Sequence, residues 1–265
     1  MKNILLLVHD DPGQEARFQV ALDLCRALES HLECVDVAVL PNITGDVYGA
    51  TAMLLADERK TEAANRTRLE QRLRSEDISW DWRDVVGEVA ECIAGAANLA
   101  DLIVINRSID DALGPDMREV AGQVLAAAHR PVLAVPDTAR ALNLSGHALV
   151  AWDGSEAAAA ALRAAVPLLK LAEKVTILEM TEGSGPSSGE EAAIYLSRHG
   201  VAAIVTAVKP LKAGVGPTLL AETRALAPDY IVMGGFGHSR LREALLGGVT
   251  RSMLAESPVP LFLAR

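Results

Sequence analysis

A glycine-rich segment near the C-terminus has the residue types and spacing best suited to chemistry in this chain. It reads Gly234-x2-Gly237-x9-Gly247-Gly248 and follows an apolar run that predicts a buried strand. Glycine allows a backbone to approach a ligand closely or to adopt a positive φ. A helix predicted over 249–256 would direct its free N–H groups and the positive end of its dipole towards this loop. The segment therefore predicts an anion site between a strand and a helix.

Other interpretations of the glycines and their neighbours stay open. The segment could be a turn that only lets strand and helix pack together. His238 lies within it, but nothing in the sequence orients this side chain as a base, and a solvated loop histidine fits equally. The stretch Gly183–Gly189 lacks the Lys-[Ser/Thr] of a P-loop and predicts a flexible linker. Gly214–Pro217 predicts the start of a helix rather than a phosphate site.

The spacing, continued by Val249 and Thr250, resembles the universal stress protein family, whose ATP-binding members carry G-x2-G-x9-G-[S/T] at this place. The resemblance extends over both halves, so the chain is similar to a tandem member. It implies stress-response roles and ATP as ligand, with or without Mg. Gly248 stands where the family usually has Ser or Thr. This removes a hydroxyl but leaves the backbone N–H groups, and Thr250 could supply a hydroxyl instead.

The resemblance also implies which residues contact ATP. The acid at the end of the first strand of this half would meet adenine, the end of the second strand would meet it through its backbone, and the glycine segment would hold ribose and phosphates. The implied ATP-binding residues are Asp153, Met180, Gly234, Gly237, Gly247, Gly248, Val249 and Thr250. An alternative role for Asp153 is a helix N-cap, although Ser155 could fill that position. No catalytic residue and no metal ligand is predicted.

Apolar runs and helical patterns alternate along the chain, and they do so twice. Strands are predicted over Ile4–Val8, Leu32–Leu40, Ser79–Val86, Leu102–Ile105 and Pro131–Val135, then over Ala148–Trp152, Val175–Met180, Ala202–Val208, Tyr230–Met233 and Val259–Leu263. Helices are predicted over Gly13–Glu29, Thr51–Arg74, Val89–Asn98, Glu156–Leu171 and Thr218–Leu226. Alternation of this kind indicates βαβ units. We therefore expect an α/β fold with two open, five-stranded, parallel-sheet, Rossmann-like domains in tandem.

The two halves differ at the place of the glycine segment. We predict a domain over residues 1–140 with a degenerate nucleotide site and a domain over 147–265 with the ATP-binding glycine loop. In the first, Asn106 replaces Gly234, and Arg118 and Glu119 replace the later glycine pair. Glu119 would lie at a helix N-terminus, where its carboxylate takes the electrostatic place of a phosphate. No ATP is expected in the first half.

The last predicted strand of each half would be an open edge if that half existed alone. Exposed edges of apolar strands promote aggregation. We expect Pro131–Val135 and Val259–Leu263 to pair with each other, which makes the chain an intramolecular pseudo-dimer. A homodimer through another surface stays open.

Composition narrows the classes of partner. The chain has 265 residues, 50% hydrophobic and 3% aromatic, and a formal net charge of −10. This acidic balance argues against nucleic-acid and anionic-membrane binding. No secretory signal is recognisable, and Cys25, Cys34 and Cys92 form no metal or disulfide pattern and are expected in the core. We expect a cytoplasmic location.

Three functions compete on this evidence. The first is a stress-response protein that binds ATP in its C-terminal domain as a nucleotide-dependent sensor or regulator. The second is a slow ATPase or nucleotidyl-transfer enzyme, which the sequence does not favour because no lysine or carboxylate cluster lies in the motif. The third is a partner-binding module without nucleotide, which Gly248 could indicate.

Overall fold

The computed structural model describes residues 1–39, 48–107, 117–180, 189–235 and 248–265. The first half contains β1 (Asn3–Val8), α1 (Gln14–Leu28), β2 (His31–Val39), α2 (Tyr48–Leu73), β3 (Trp80–Gly87), α3 (Val89–Ala96), β4 (Leu102–Asn106), α4 (Met117–Ala128) and β5 (Val132–Val135). The second contains β6 (His147–Trp152), α5 (Glu156–Leu169), β7 (Lys174–Met180), α6 (Gly189–Arg198), β8 (Ile204–Val208), α7 (Val215–Leu226), β9 (Tyr230–Gly234), α8 (Gly248–Glu256) and β10 (Leu261–Ala264).

The ten strands of the described residues join in one sheet. Their order is β3-β2-β1-β4-β5-β10-β9-β6-β7-β8, and every pairing is parallel except that of β5 with β10. Each half is therefore an open five-stranded α/β sheet, as predicted. The strand order reverses between β1 and β4 in one half and between β6 and β9 in the other. These reversals are the points where open α/β sheets form crevices beyond the carboxyl ends of their strands.

Helices cover both faces of the sheet, so the central strands are apolar on both sides. Along β1, Ile4 and Leu6 belong to the core on one face, and Leu5 and Leu7 to the core on the other. Burial on both faces is typical of parallel sheets and explains the near-continuous apolar runs in the sequence. Among the cysteines, Cys25 and Cys34 are buried as expected, and the third is only half-buried.

The antiparallel pairing of β5 with β10 joins the two halves. Leu133 faces Phe262 at its centre, and both side chains are fully buried. The predicted pairing of the terminal strands is thus confirmed. A side-chain contact reinforces it, because Nη1 of Arg107, just after β4, donates to the carbonyl oxygen of Leu254 in α8 at 3.0 Å.

Several element boundaries differ from the predictions for local reasons. The last strand begins at Leu261 rather than Val259, because the hydroxyl of Ser257 donates to the Val259 carbonyl at 2.8 Å in a tight turn. The helix predicted from Thr218 begins earlier, at Val215, so Pro217 lies in its first turn. The linker predicted over Gly183–Gly189 falls mostly outside the described residues.

Removal of the first half should expose the β10 edge. We expect a fragment of residues 141–265 to self-associate, because Leu261–Ala264 would present unpaired backbone groups and an apolar surface. Sedimentation velocity of the fragment and of the full chain provides the measurement. A fragment that stays monomeric at tens of micromolar would contradict this role of the β5–β10 pairing.

Candidate functional site

A cavity of about 190 Å³ opens at the carboxyl ends of β6 and β9, where the strand order of the second half reverses. Strand ends, the first turn of α5, and the N-terminal turns of α7 and α8 form its wall. Its lining residues are Ala151, Trp152, Asp153, Ser155, Ala157, Ala158, Met180, Val215, Leu219, Met233, Gly234, Gly248, Val249 and Thr250. Apart from one carboxylate and two hydroxyl side chains, this wall is apolar or backbone.

Six of the eight residues implied by the family resemblance line this one cavity. They are Asp153, Met180, Gly234, Gly248, Val249 and Thr250. The other two, Gly237 and Gly247, lie outside the described residues. The apolar wall was not predicted from the sequence; it includes Trp152 at the end of β6 and Met233 in β9. The spacing of Val215 and Leu219 could have predicted that they lie together, because residues four apart on a helix share a face.

Asp153 and Ser155 make different hydrogen bonds at the start of α5. The Ser155 hydroxyl accepts a hydrogen bond from the Ala158 N–H at 3.1 Å and is the N-cap. The prediction that Ser155 fills the cap is confirmed. Asp153 is nevertheless held in the same turn, because its Oδ1 accepts a hydrogen bond from the Ser155 N–H at 2.9 Å. The turn therefore fixes the Asp153 carboxylate at the mouth of the cavity.

The two described glycines of the motif serve different purposes. A Cβ on Gly234 would lie 2.6 Å from the Ala158 nitrogen and 2.7 Å from the Ala157 carbonyl carbon. Close packing of β9 against α5 therefore requires this glycine whether or not a ligand is present. A Cβ on Gly248, at the start of α8, would meet nothing within 4 Å among the described residues.

The corresponding place in the first half is filled by side chains. Asn106 ends β4 as Gly234 ends β9, and its Oδ1 accepts from Nη1 of Arg17 at 2.7 Å. Arg17 is fully buried and also donates to the carbonyl oxygens of Leu7 and His9, at 2.7 and 2.6 Å. Oδ2 of Asp11 lies 2.6 Å from Nη1 of Arg17. A buried, charge-compensated network thus occupies this position.

Both halves have a close contact between a strand end and a helix, but the glycine that permits it lies on the strand in one half and on the helix side in the other. In the second half the glycine is on the strand, at Gly234, and alanine is on the helix. In the first half Asn106 is on the strand, and a Cβ on Gly13 would lie 1.6 Å from its Nδ2. Glu119 lies in the first turn of α4, as predicted.

A second cavity, of about 430 Å³, lies on the first half beside α2. Its wall mixes both signs of charge, with Asp10 and Asp57 facing Lys60 and Arg68. Arg68 already donates to the Asp10 carboxylate at 2.9 Å. The ion pair between Arg68 and Asp10 neutralises part of the positive charge on this wall.

Metal and membrane features are not evident in the described part of the chain. No group of three or more His, Cys, Asp or Glu side chains is arranged there to hold a metal ion. None of its helices combines the length and apolar character needed to cross a bilayer.

Residues 190–265 match the Universal stress protein family. The matched segment runs from α6 to the end of the chain. Among solved structures, a universal stress protein from Archaeoglobus fulgidus has a TM-score of 0.77 and 19% identity, and the match covers 99% of this chain and 98% of that one. A putative universal stress protein from Pseudomonas aeruginosa has a TM-score of 0.66 and 17% identity, and the match covers 100% of this chain and 93% of that one. Comparison with curated protein sequences gave no match.

The structural comparisons establish the fold over both halves, and the family match is confined to residues 190–265. At identities below one fifth, structural likeness says nothing about ligand. The predicted resemblance to tandem universal stress proteins is confirmed. The family match therefore lies in the half that holds the cavity at the β6–β9 reversal.

Substitution of the two described glycines should separate packing from ligand space. We expect Gly234→Ala to lower the free energy of unfolding by about 1–3 kcal/mol, because the added methyl group meets α5 backbone. Gly248→Ala is the matched control and should change it by no more than about 0.5 kcal/mol. Urea unfolding followed by circular dichroism measures both. Equal losses in the two variants would contradict the assignment of Gly234 to close packing.

Proposed function

We propose that the second half binds ATP and that the chain acts as a nucleotide-dependent sensor or regulator in a stress response. The observation that supports this most directly is the convergence of Asp153, Met180 and the N-terminus of α8 on one cavity at the strand-order reversal. The family match of residues 190–265 supplies the biological context.

The cavity offers a suitable surface for each part of the nucleotide. Trp152, Met233 and Leu219 form an apolar wall against which an adenine ring could pack. The Asp153 carboxylate could accept a hydrogen bond from the adenine amino group, which would favour adenine over bases that lack this donor. At the other end, the first turn of α8 provides free N–H groups and a dipole suited to phosphate.

Magnesium fits this site only if it is coordinated by the phosphates of the nucleotide. Proteins usually hold Mg²⁺ through one or two carboxylates together with substrate phosphates and water. Asp153 is the single carboxylate among the described lining residues, and it belongs to the adenine end in the proposed pose. We therefore assign no protein ligand to the metal.

The lining also bears on the competing enzyme function. ATP hydrolysis or nucleotidyl transfer normally depends on groups that position the nucleophile and stabilise developing charge. Among the described lining residues, Asp153 is the only one with an ionisable side chain. This composition favours binding over catalysis. The third function, a partner-binding module without nucleotide, would be favoured if no nucleotide bound.

Calorimetric titration of the full chain with ATP tests the proposal. We expect about one site per chain, since Arg17 and Asn106 fill the equivalent place in the first half. Asp153→Ala should weaken binding by roughly 5- to 30-fold, the scale of one hydrogen bond to a charged group. Asp10→Ala, beside the equivalent strand end of the first half, is the matched control and should leave the affinity unchanged. Absence of binding would refute the proposal, and two sites would refute its restriction to the second half.

A second experiment restores the hydroxyl that Gly248 lacks. The open space at Gly248 should accommodate Gly248→Ser without strain. We expect this variant to bind ATP about 2- to 10-fold more tightly, because a serine at the start of α8 adds one hydrogen bond to phosphate. Adenosine affinity should not change, since adenosine has no phosphate. An equal gain for adenosine, or no gain for ATP, would show that α8 does not contact the phosphates.

A further inference from the structure

β8 is the last strand at one end of the sheet, and among the described residues no strand lies along its outer edge. It runs from Ile204 to Val208 and pairs in parallel with residues 176–180 of β7 on its inner edge. The outward backbone N–H and C=O groups of such an edge are a template for pairing with another strand. The outer edge of β8 can therefore accept a strand from another molecule.

β3, at the opposite end of the sheet, is protected by charged side chains. Its sequence includes Asp81, Arg83 and Asp84. Arg83 forms an ion pair with Glu33 of β2 at 2.6 Å, and Asp84 forms one with Arg66 of α2. Charged side chains on an edge strand oppose its pairing with another chain. The edge of β3 is thus a poor template.

β8 lacks this protection. Its sequence, Ile-Val-Thr-Ala-Val, has no charged residue, and the side chain at its start, Ile204, is 60% exposed. Leu211, in the turn that follows the strand, is 54% exposed. Val205 packs with the core on the α6 face of the sheet, so Ile204 points to the other face, because side chains alternate along a strand. An uncharged edge strand with an exposed isoleucine is suited to being covered.

The charge around β8 permits contact between two copies of an acidic chain. The net charge of the chain is −10, yet residues 199–221 contain no Asp or Glu. Two lysines, Lys209 and Lys212, follow the strand. The strand and the residues that flank it therefore add no negative charge to a contact between two copies, whereas much of the remaining surface would add repulsion.

The sequence of β8 is complementary to itself in the antiparallel direction. Two copies of one edge that are related by a twofold axis run antiparallel and present the same residues to each other. With Thr206, the middle residue, on the axis, Ile204 of each copy lies opposite Val208 of the other. Cross-strand pairs of β-branched residues and of two threonines stabilise a sheet. A second β8 therefore matches this edge at every position.

We propose that two copies of this chain associate through their β8 edges, antiparallel and centred on Thr206, so that two ten-stranded sheets become one continuous sheet. The chain already uses this arrangement internally, because β5 and β10 join its halves as antiparallel edges. The contact is five residues long on each side, well below the standard interface of about 1,600 Å². The dimer is accordingly transient and depends on concentration.

Sedimentation velocity of the full chain from about 10 to 300 μM, the range suited to a transient contact, tests the proposal. We expect the average sedimentation coefficient to rise towards that of a dimer. Thr206→Lys should keep the chain monomeric, because the two lysines would face each other across the axis. Val86→Lys, which adds the same charge to an exposed position of β3, is the matched control and should dimerise like the wild type. A wild type that stays monomeric, or a Thr206→Lys dimer, would overturn the proposal.

Disulfide formation tests the register without adding charge, so it remains decisive if Thr206→Lys does not fold. In the proposed register Thr206→Cys places the two new Cβ atoms about 5 Å apart, whereas the copies of Val208→Cys lie about 14 Å apart along the strands. A disulfide needs Cα atoms within about 7 Å. Under mild oxidation we expect a cross-linked dimer of Thr206→Cys, and none of Val208→Cys or of the wild type with its native cysteines. Equal cross-linking of the two variants, or none in Thr206→Cys, would overturn the proposal.

Neither measurement depends on the other proposals for this chain. The β10 edge plays no part, because β5 covers it in the full chain. Nucleotide enters neither experiment, so failure of the dimer is distinguishable from failure of ATP binding.

Discussion

The antiparallel pairing of β5 with β10 is the interaction on which the rest of the architecture depends. Three residue pairs, centred on Leu133 and Phe262, turn two five-stranded sheets into one ten-stranded sheet. Without this pairing each half would end in an apolar edge with unpaired backbone groups. The pairing also brings Arg107 of the first half to the carbonyl of Leu254 in α8. The helix that lines the cavity at one end is therefore in contact with the other half at its opposite end.

The two halves use the same crevice in opposite ways. Both place a strand end against the first turn of a helix so closely that one partner must be glycine. In the second half that glycine is Gly234, and the crevice beside it is open. In the first half the glycine is Gly13, and Asn106 with Arg17 fills the space. An arginine that is fully buried is costly unless its charge is compensated, and Asp11 provides that compensation.

A buried acid near the end of the second strand shows the same divergence. Glu179 and Asp36 occupy equivalent register positions, yet one faces a helix N-terminus and the other faces a second carboxyl group. The Gly189 N–H stabilises the charged form of Glu179, whereas burial and the negative charges of Glu62 and Asp84 raise the pKa of Asp36 to about 8. The two halves of the repeat thus surround equivalent buried acids with different groups.

The sequence by itself determined the fold class, the internal repeat, the pairing of terminal strands and the neighbourhood of the candidate site. These follow from local patterns: apolar runs long enough for buried strands, helical periodicity between them, and glycines at fixed spacing. The rule that crevices form beyond strand ends then placed Asp153, Met180 and Gly248 together. Local hydrogen bonds shifted several boundaries, as Ser257 does before β10.

Only the tertiary structure decided what each polar or glycine residue does. Gly234 was predicted as a ligand-binding glycine, but its contact with Ala157 and Ala158 shows a packing requirement that spacing within the motif could not reveal. Arg17 and Asn106 are 89 residues apart in the chain, and neither belongs to a recognisable motif. The raised pKa of Asp36 likewise depends on burial and on neighbours from separate elements. Charge state and close packing are properties of three-dimensional surroundings, and no local sequence pattern encodes them.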